Sequence, residues 1–324
     1  MIVAETRAHA ARIEAALTTG EAARSPIAAS WSRSARMYGL DPAARSAPMR
    51  MTDAEFRHVS DRMEPTVRLA APTLDRLFRA VGGLGTCVVL SDRDGVPVDR
   101  RGNSAEDRDF ADCGLWTGTI WSEAQAGTNA IGTCIAEARA VTIQRDQHFL
   151  SSNTRLSCTS APIHDAEGAL TAVLDVSTAN AACTEAVMTL IAHSVTEAAR
   201  RIEADLFRAR FASARMWLAP GLDRGVGAIL AVDADELVIG ATRAARQHFG
   251  LKGDLARNPV PAADLLGLAV PDTLEDGERA VIARALARTG GNASAAARNL
   301  GISRATFHRK LGARATEGRD LSQN

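Results

Sequence analysis

The chain of 324 residues is 46% hydrophobic and carries 38 basic against 38 acidic side chains, enough length for two or three ordinary globular domains with no net charge. No stretch reaches the roughly eighteen consecutive apolar residues of a membrane span, and Met1 to Arg7 lacks a signal-peptide core, which points to a cytoplasmic protein with no membrane partner. The five cysteines, Cys87, Cys113, Cys134, Cys158 and Cys183, stand far apart without a CxxC pair, so neither a disulfide framework nor a zinc knuckle is indicated, and no metal or other cofactor is expected.

Residues 5–18 place Ala8, Ala11, Ile13, Ala15, Ala16 and Leu17 at helical spacing, and a second helix starts at Pro26 and ends near Gly39. Asp41-Pro42 and Pro48 mark a turn-rich link. Thr52 with Glu55 three residues on is a capping box that opens a third helix, and a fourth is expected from Pro65 to about Val81. From Gly85 the period changes. Residues 86–91 read as a strand, Asp92-Arg93-Asp94-Gly95 as a tight turn and Val96-Pro97-Val98 as the return strand. Beyond a loop holding Trp116 and Trp121 comes a helix with Ile131, Cys134 and Ile135 facing a core, then strands over residues 140–144, 156–164 and 169–177. Strands run together with helices at either end make an α+β domain with an antiparallel sheet.

Trp121-Ser122-Glu123 with Gly127-Thr128-Asn129-Ala130-Ile131-Gly132, then His148-Phe149-Leu150 and the run Cys158 to Asp165, resemble the GAF sensory domain of the activators of acetoin catabolism. With Ser30-Trp31-Ser32-Arg33 and Tyr38-Gly39-Leu40-Asp41-Pro42 the likeness covers most of residues 26–211. It implies a pocket for a small-molecule effector, near which we place Trp116, Trp121, Asn129, His148 and Cys158. Plainer roles stay open: a tryptophan anchors a core, Asn129 can cap a helix, and a lone histidine can be a satisfied hydrogen-bonding group. Related sensory domains hold iron through carboxylates and a cysteine; Asp109, Asp112 and Cys113 are close in the chain, and a charged loop explains them equally well. Some GAF domains reduce methionine sulfoxide with paired cysteines, but nothing places Cys87, Cys134 or Cys158 beside a base or a second thiol.

From Thr184 to about Met216 one long helix is expected, with Met188, Ile191, Val195, Ala198 and Ile202 three and four apart. That period suits a parallel two-helix contact or an ordinary helix packed on its own sheet. Residues 227–232 and 236–239 read as a hairpin across Asp233-Ala234-Asp235, followed by a helix through Phe249, and together look like a truncated PAS-type module. Asn258-Pro259-Val260-Pro261 and Pro271 punctuate the way to the end of the chain.

Near that end, small residues Ala295, Ala296 and Ala297 and a closing Leu300 form one short helix; Gly301 suits the left-handed position that ends it. Ser303 can cap the next helix, whose Phe307 and Leu311 share a face opposite Arg304, Thr306, His308, Arg309 and Lys310. From Arg288 to Arg314 there are basic residues and no acidic one, as phosphate neutralisation requires. This is a helix-turn-helix pattern. Residues 274–313 resemble the DNA-binding domain of the Fis family, with the helix from Leu274 to Thr289 as lead-in and Gly277 as its soft spot. The resemblance implies DNA contact by Asn292, Ser294, Ser303, Arg304, Thr306, His308, Arg309 and Lys310.

The expected layout is a helical lead-in (1–80), a GAF-like sensory domain (81–182), a long linking helix (183–216), a PAS-like module and linker (217–270), a Fis-type helix-turn-helix (271–314) and a tail (315–324). In the acetoin-type activators a large ATPase stands before the Fis-like end. Here the two lysines, in Lys252-Gly253 and Lys310-Leu311, make no P-loop, and about sixty residues occupy that place. The expectation is a homodimeric transcription regulator, not an enzyme, with double-stranded DNA, RNA polymerase or a co-regulator, and a small effector as partners. A nucleoid-architectural binder, a thiol enzyme and a partner of a full-length activator are the competing classes.

Overall fold

In the computed structural model the capping box at Thr52 is formed: its hydroxyl accepts from the Glu55 N–H, and its own N–H donates to the Glu55 carboxylate at 2.8 Å. Residues 2–44, 48–219, 228–267 and 274–310 are described. Two units divide the chain, Met1–Ala262 and Ala263–Asn324.

The first unit opens with α1 (Ile2–Thr18) and α2 (Pro26–Ser32), the latter running into a π-helical turn at Arg33–Met37. The capping box starts α3 (Asp53–Val81), one helix where the sequence suggests two. Pro65 and Pro72 lie on its exposed face, so the carbonyls they leave unpaired can turn to water. Val59, Met63, Ala70, Leu74, Leu77 and Val81 stay buried along the other stripe and hold the helix together.

Strands β1 (Thr86–Asp92) and β2 (Pro97–Arg101) are followed by α4 (Asp107–Asp112), α5 (Glu123–Ala126) and α6 (Ala130–Glu137). Then come β3 (Val141–Gln144), β4 (Ser157–His164), β5 (Leu170–Thr178) and α7 (Glu185–Arg210). The five strands make a GAF-like antiparallel sheet in the order β2-β1-β5-β4-β3. Alternation along each strand gives it two dressed faces. Val88, Leu90, Leu174 and Val176 point to α3 and α7; Cys87, Val89, Cys158 and Val173 point to Phe110, Trp121 and Ile131.

Met188, Ile191, Val195 and Ile202 of α7 are buried in the core they share with α3 and the sheet. That spacing therefore serves the chain's own core, and a parallel pairing through α7 is not supported. The helix also ends sooner than the sequence suggests. It stops at Arg210, and β6 (Arg215–Leu218) pairs with β7 (Ile229–Val232), a partner that no local period reveals. With β8 (Leu237–Ala241), α8 (Arg243–Phe249) and β9 (Val260–Pro261) these strands form a second small sheet in the order β6-β7-β8-β9. At Gly240 a Cβ would stand 2.3 Å from the Phe211 ring, so a larger residue would have to push that ring aside. A short α9 (Ala262–Leu266) follows.

The second unit contains α10 (Leu274–Arg288), α11 (Ala293–Asn299) and a helix over residues 304–310. Gly227, Pro271, Leu311, Arg314 and residues 315–324, on which the sequence reading also touched, lie outside the described residues.

Candidate functional site

The helix-turn-helix is built on a core of few residues. Ile282 and Ala285 of α10, Ala296 and Ala297 of α11, and Phe307 of the third helix are buried together. The alanines allow the close approach of α10 and α11 that a larger residue would forbid. Gly290 (φ 57) and Gly291 (φ 86) make the first connection, and Gly301 (φ 65) the second. Asn292 caps α11 by accepting from the Ala295 N–H at 3.1 Å. Ser303 accepts from the Thr306 N–H at 3.0 Å and meets the Thr306 hydroxyl at 2.8 Å.

Asn292, Ser303 and Thr306 thus place polar atoms on the helix starts, while Arg304, His308 and Arg309 are exposed. Arg304 and His308, four apart, stand one above the other on the third helix. Ala305 beside them is exposed as well. Lys310 is differently placed. Its ammonium pairs with Glu278 of α10, an acidic partner that lies before the acid-free run from Arg288 to Arg314.

In the sheet unit the recognisable words turn inward. The buried Glu123 carboxylate accepts two bonds from Arg33 at 2.8 Å, one from the Ser30 hydroxyl at 2.5 Å and one from Thr133 at 2.8 Å. Ser30 also meets Thr128 at 2.7 Å. This clamp fastens α2 and its π-turn to α5 and α6, and the Glu123 pairing raises the Arg33 pKa further. Asn129 caps α6 through the Gly132 N–H and donates to the carbonyls of Trp121 and Gly127.

The other residues assigned to the pocket are scattered. Trp121 donates its indole N–H to the Gly114 carbonyl at 3.0 Å and lines a cavity of about 210 Å³ with Met49, Cys113, Gln125, Ser152 and Asn153. His148 is fully buried, with Nδ1 on the Arg145 carbonyl at 2.9 Å and Nε2 unpartnered among the described residues. Burial first, and His9 nearby, hold its pKa down at about 4, so the ring is neutral. Cys158 is buried in the core, as are Cys87 and Cys134; burial, with Asp175 adding to it, pushes all three thiols up and keeps them protonated. Asp175, held by the Ser160 and Ser177 hydroxyls at 2.6 Å, has its own pKa pushed up to about 6 by burial. Asp109 and Asp112 lie on α4, and Cys113 Sγ accepts from Arg155 at 3.5 Å; no group of three or more metal-ligating side chains gathers among the described residues.

Arg100 is the residue the sequence reading missed on this face. Its guanidinium lies 4.4 Å from the Trp116 ring and pairs with Asp107 at 2.6 Å, yet Nε and Nη2 are buried without a partner among the described residues. In the run Asp99-Arg100-Arg101 nothing sets it apart from a solvated strand charge.

The chain joins an α+β sheet body to a capped helix-turn-helix, and residues 273–313 of the latter match the family described as bacterial regulatory protein, Fis family. Residues 4–203 match the family described as MimR, N-terminal domain, and the chain belongs to it. The acetoin catabolism regulatory protein of Cupriavidus necator is 38% identical over 148 residues, covering 46% of this chain and 22% of that one. The propane 2-monooxygenase operon transcriptional activator MimR of Mycolicibacterium smegmatis is 29% identical over 154 residues, 46% of this chain and 25% of that protein. The chain therefore spans about a quarter of the length of these relatives. The E. coli DhaR(N)-DhaL complex shares the fold, with a TM-score of 0.52 at 17% identity over 70% of this chain and 76% of that one.

Proposed function

We propose that this chain is a sequence-specific transcription regulator whose Fis-type helices grip duplex DNA while the GAF-like sheet body reads a small effector. The observation that carries the reading is the third helix, which is capped, anchored by Phe307 and presents Arg304, His308 and Arg309 outward. The names of the relatives, regulators of catabolic operons, support the same role. The domain layout expected from the sequence fits it, as does a cytoplasmic setting. No helix among the described residues is long and apolar enough to cross a membrane.

Buried, protonated Cys87, Cys134 and Cys158 speak for a binding module and against thiol catalysis by those three residues. The two lysines, neither in a P-loop, support regulation without nucleotide hydrolysis here, by contact with RNA polymerase or with a co-regulator. Pairing of two copies is supported by α10, where exposed Leu274 and Val281 are seven residues apart and share a face. A two-fold pair sets its recognition helices about 34 Å apart and selects a near-palindromic site.

Anisotropy titration of the full chain on duplexes taken from its mapped genomic sites tests this. Tight, salt-sensitive binding that prefers those duplexes over scrambled ones is expected. Equal affinity for every duplex would favour an architectural role, and no binding in dilute buffer would end the reading.

A further inference from the structure

A cleft of about 530 Å³ opens between the end of β4, α7 and α8, away from the Trp121 cavity and within the volume range of ligand pockets. Ala161, Pro162 and Ala199 wall it on one side, Ala228 and Ala244 on the other. Its charges are unevenly matched. Glu203 Oε1 accepts from the His164 N–H at 2.7 Å and lies 2.5 Å from His164 Nδ1. Arg243 Nη1 stands 2.5 Å from His164 Nε2. A guanidinium can only donate, so Nε2 is the acceptor, the ring is neutral, and its proton sits on Nδ1 facing Glu203.

Glu203 is thus held one imidazole ring away from Arg243 and does not contact it. Arg200 across the cleft has a partner in Glu197. Arg243 forms no ion pair with a carboxylate among the described residues, although it is partly buried. A partly buried guanidinium with no carboxylate in contact leaves most of its fork unmatched, and a bound carboxylate fills it with two oxygens. Glu203 on the same wall disfavours a second negative charge.

We propose that this cleft binds a small monocarboxylate with a compact apolar body, its charge on Arg243 and its body against the alanines of α7 and α8. The bound molecule ties the small second sheet to the long helix. This site is separate from whatever the GAF-like sheet face takes, and it stands if the DNA-binding reading falls.

Calorimetric titration of the full chain with benzoate, and with benzamide as an uncharged counterpart of the same shape, tests the proposal. Benzoate should bind in the millimolar range or tighter while benzamide shows no saturable heat. Arg243→Gln should weaken benzoate by about tenfold or more, the usual loss of a charge-assisted pair, and Arg243→Lys should recover part of it. Ala244→Phe, at an exposed position, should block the cleft without changing charge and decides the matter if Arg243→Gln loses its fold. Absence of benzoate binding, equal binding of benzamide, or benzoate affinity unchanged in Arg243→Gln or Ala244→Phe would overturn the proposal.

Discussion

The two units use their recognisable residues in opposite ways. In the helical unit the residues that identify it divide cleanly: glycines, caps and alanines make the turn, while Arg304, His308 and Arg309 face solvent. In the sheet unit Ser30, Arg33, Glu123, Thr128 and Asn129 bind one another in the interior. A shared sequence word can therefore mark a contact surface in one place and an internal fastening in another. Burial distinguishes them, and the word alone does not.

The sharpest way to break this contrast is at Phe307. Its removal should cost about 3–5 kcal/mol in a core of few residues and abolish DNA binding, read as loss of helical signal and of gel shift together. Retained binding by Phe307→Ala would show that the unit does not depend on that core. Glu123→Ala should cost about 3 kcal/mol in urea unfolding, at the low end for a broken buried pair because Arg33 is partly exposed. A loss below about 1 kcal/mol would mean the clamp is merely a surface pairing. Arg304→Ala should weaken binding by about 1–3 kcal/mol and relax base preference, whereas Arg309→Ala should weaken all duplexes alike and reduce the salt slope by about one.

Acidity offers a subtler probe of the interior. The His148 pKa falls from 6.5 to about 4 on folding, so the unfolded chain binds more protons between those values, and stability from this group rises with pH across that window. Asp175 moves from 3.8 up to about 6, so the folded chain holds the extra proton and stability from this group falls as pH rises through the same range. The two slopes oppose each other. Asp175→Asn should therefore make stability climb more steeply between pH 4 and 6 than in the parent chain, checked by urea unfolding at several pH values. An identical slope would mean that Asp175 titrates as an ordinary exposed group. The smallest effect belongs to Gly277, exposed on α10 with nothing near its missing side chain; Gly277→Ala should add about 1 kcal/mol to the helical unit, seen as a higher melting temperature.

Local signals carried much of the architecture. The capping box at Thr52, the strand and turn from Thr86 to Val98, and Gly301 before Ser303 are all fixed by neighbours in the chain, and all appear where their chemistry requires. What was illegible depends on distant partners. Pro65 and Pro72 look like helix breaks until their exposed side is known. Arg215 and Met216 continue a helical pattern until β7 claims them as part of a strand. The period of Met188, Ile191 and Val195 cannot say whether its partner is another copy or the chain's own sheet. Arg100 and Lys310 fall in the same class, since a buried fork and an answering Glu278 are facts of three dimensions.

The clamp on Glu123 also bears on how such regulators can be recombined. Grafting the sheet alone onto another output module would leave a carboxylate in the interior with its guanidinium and one of its hydroxyl partners gone, so the opening helices must travel with it as a single heritable piece.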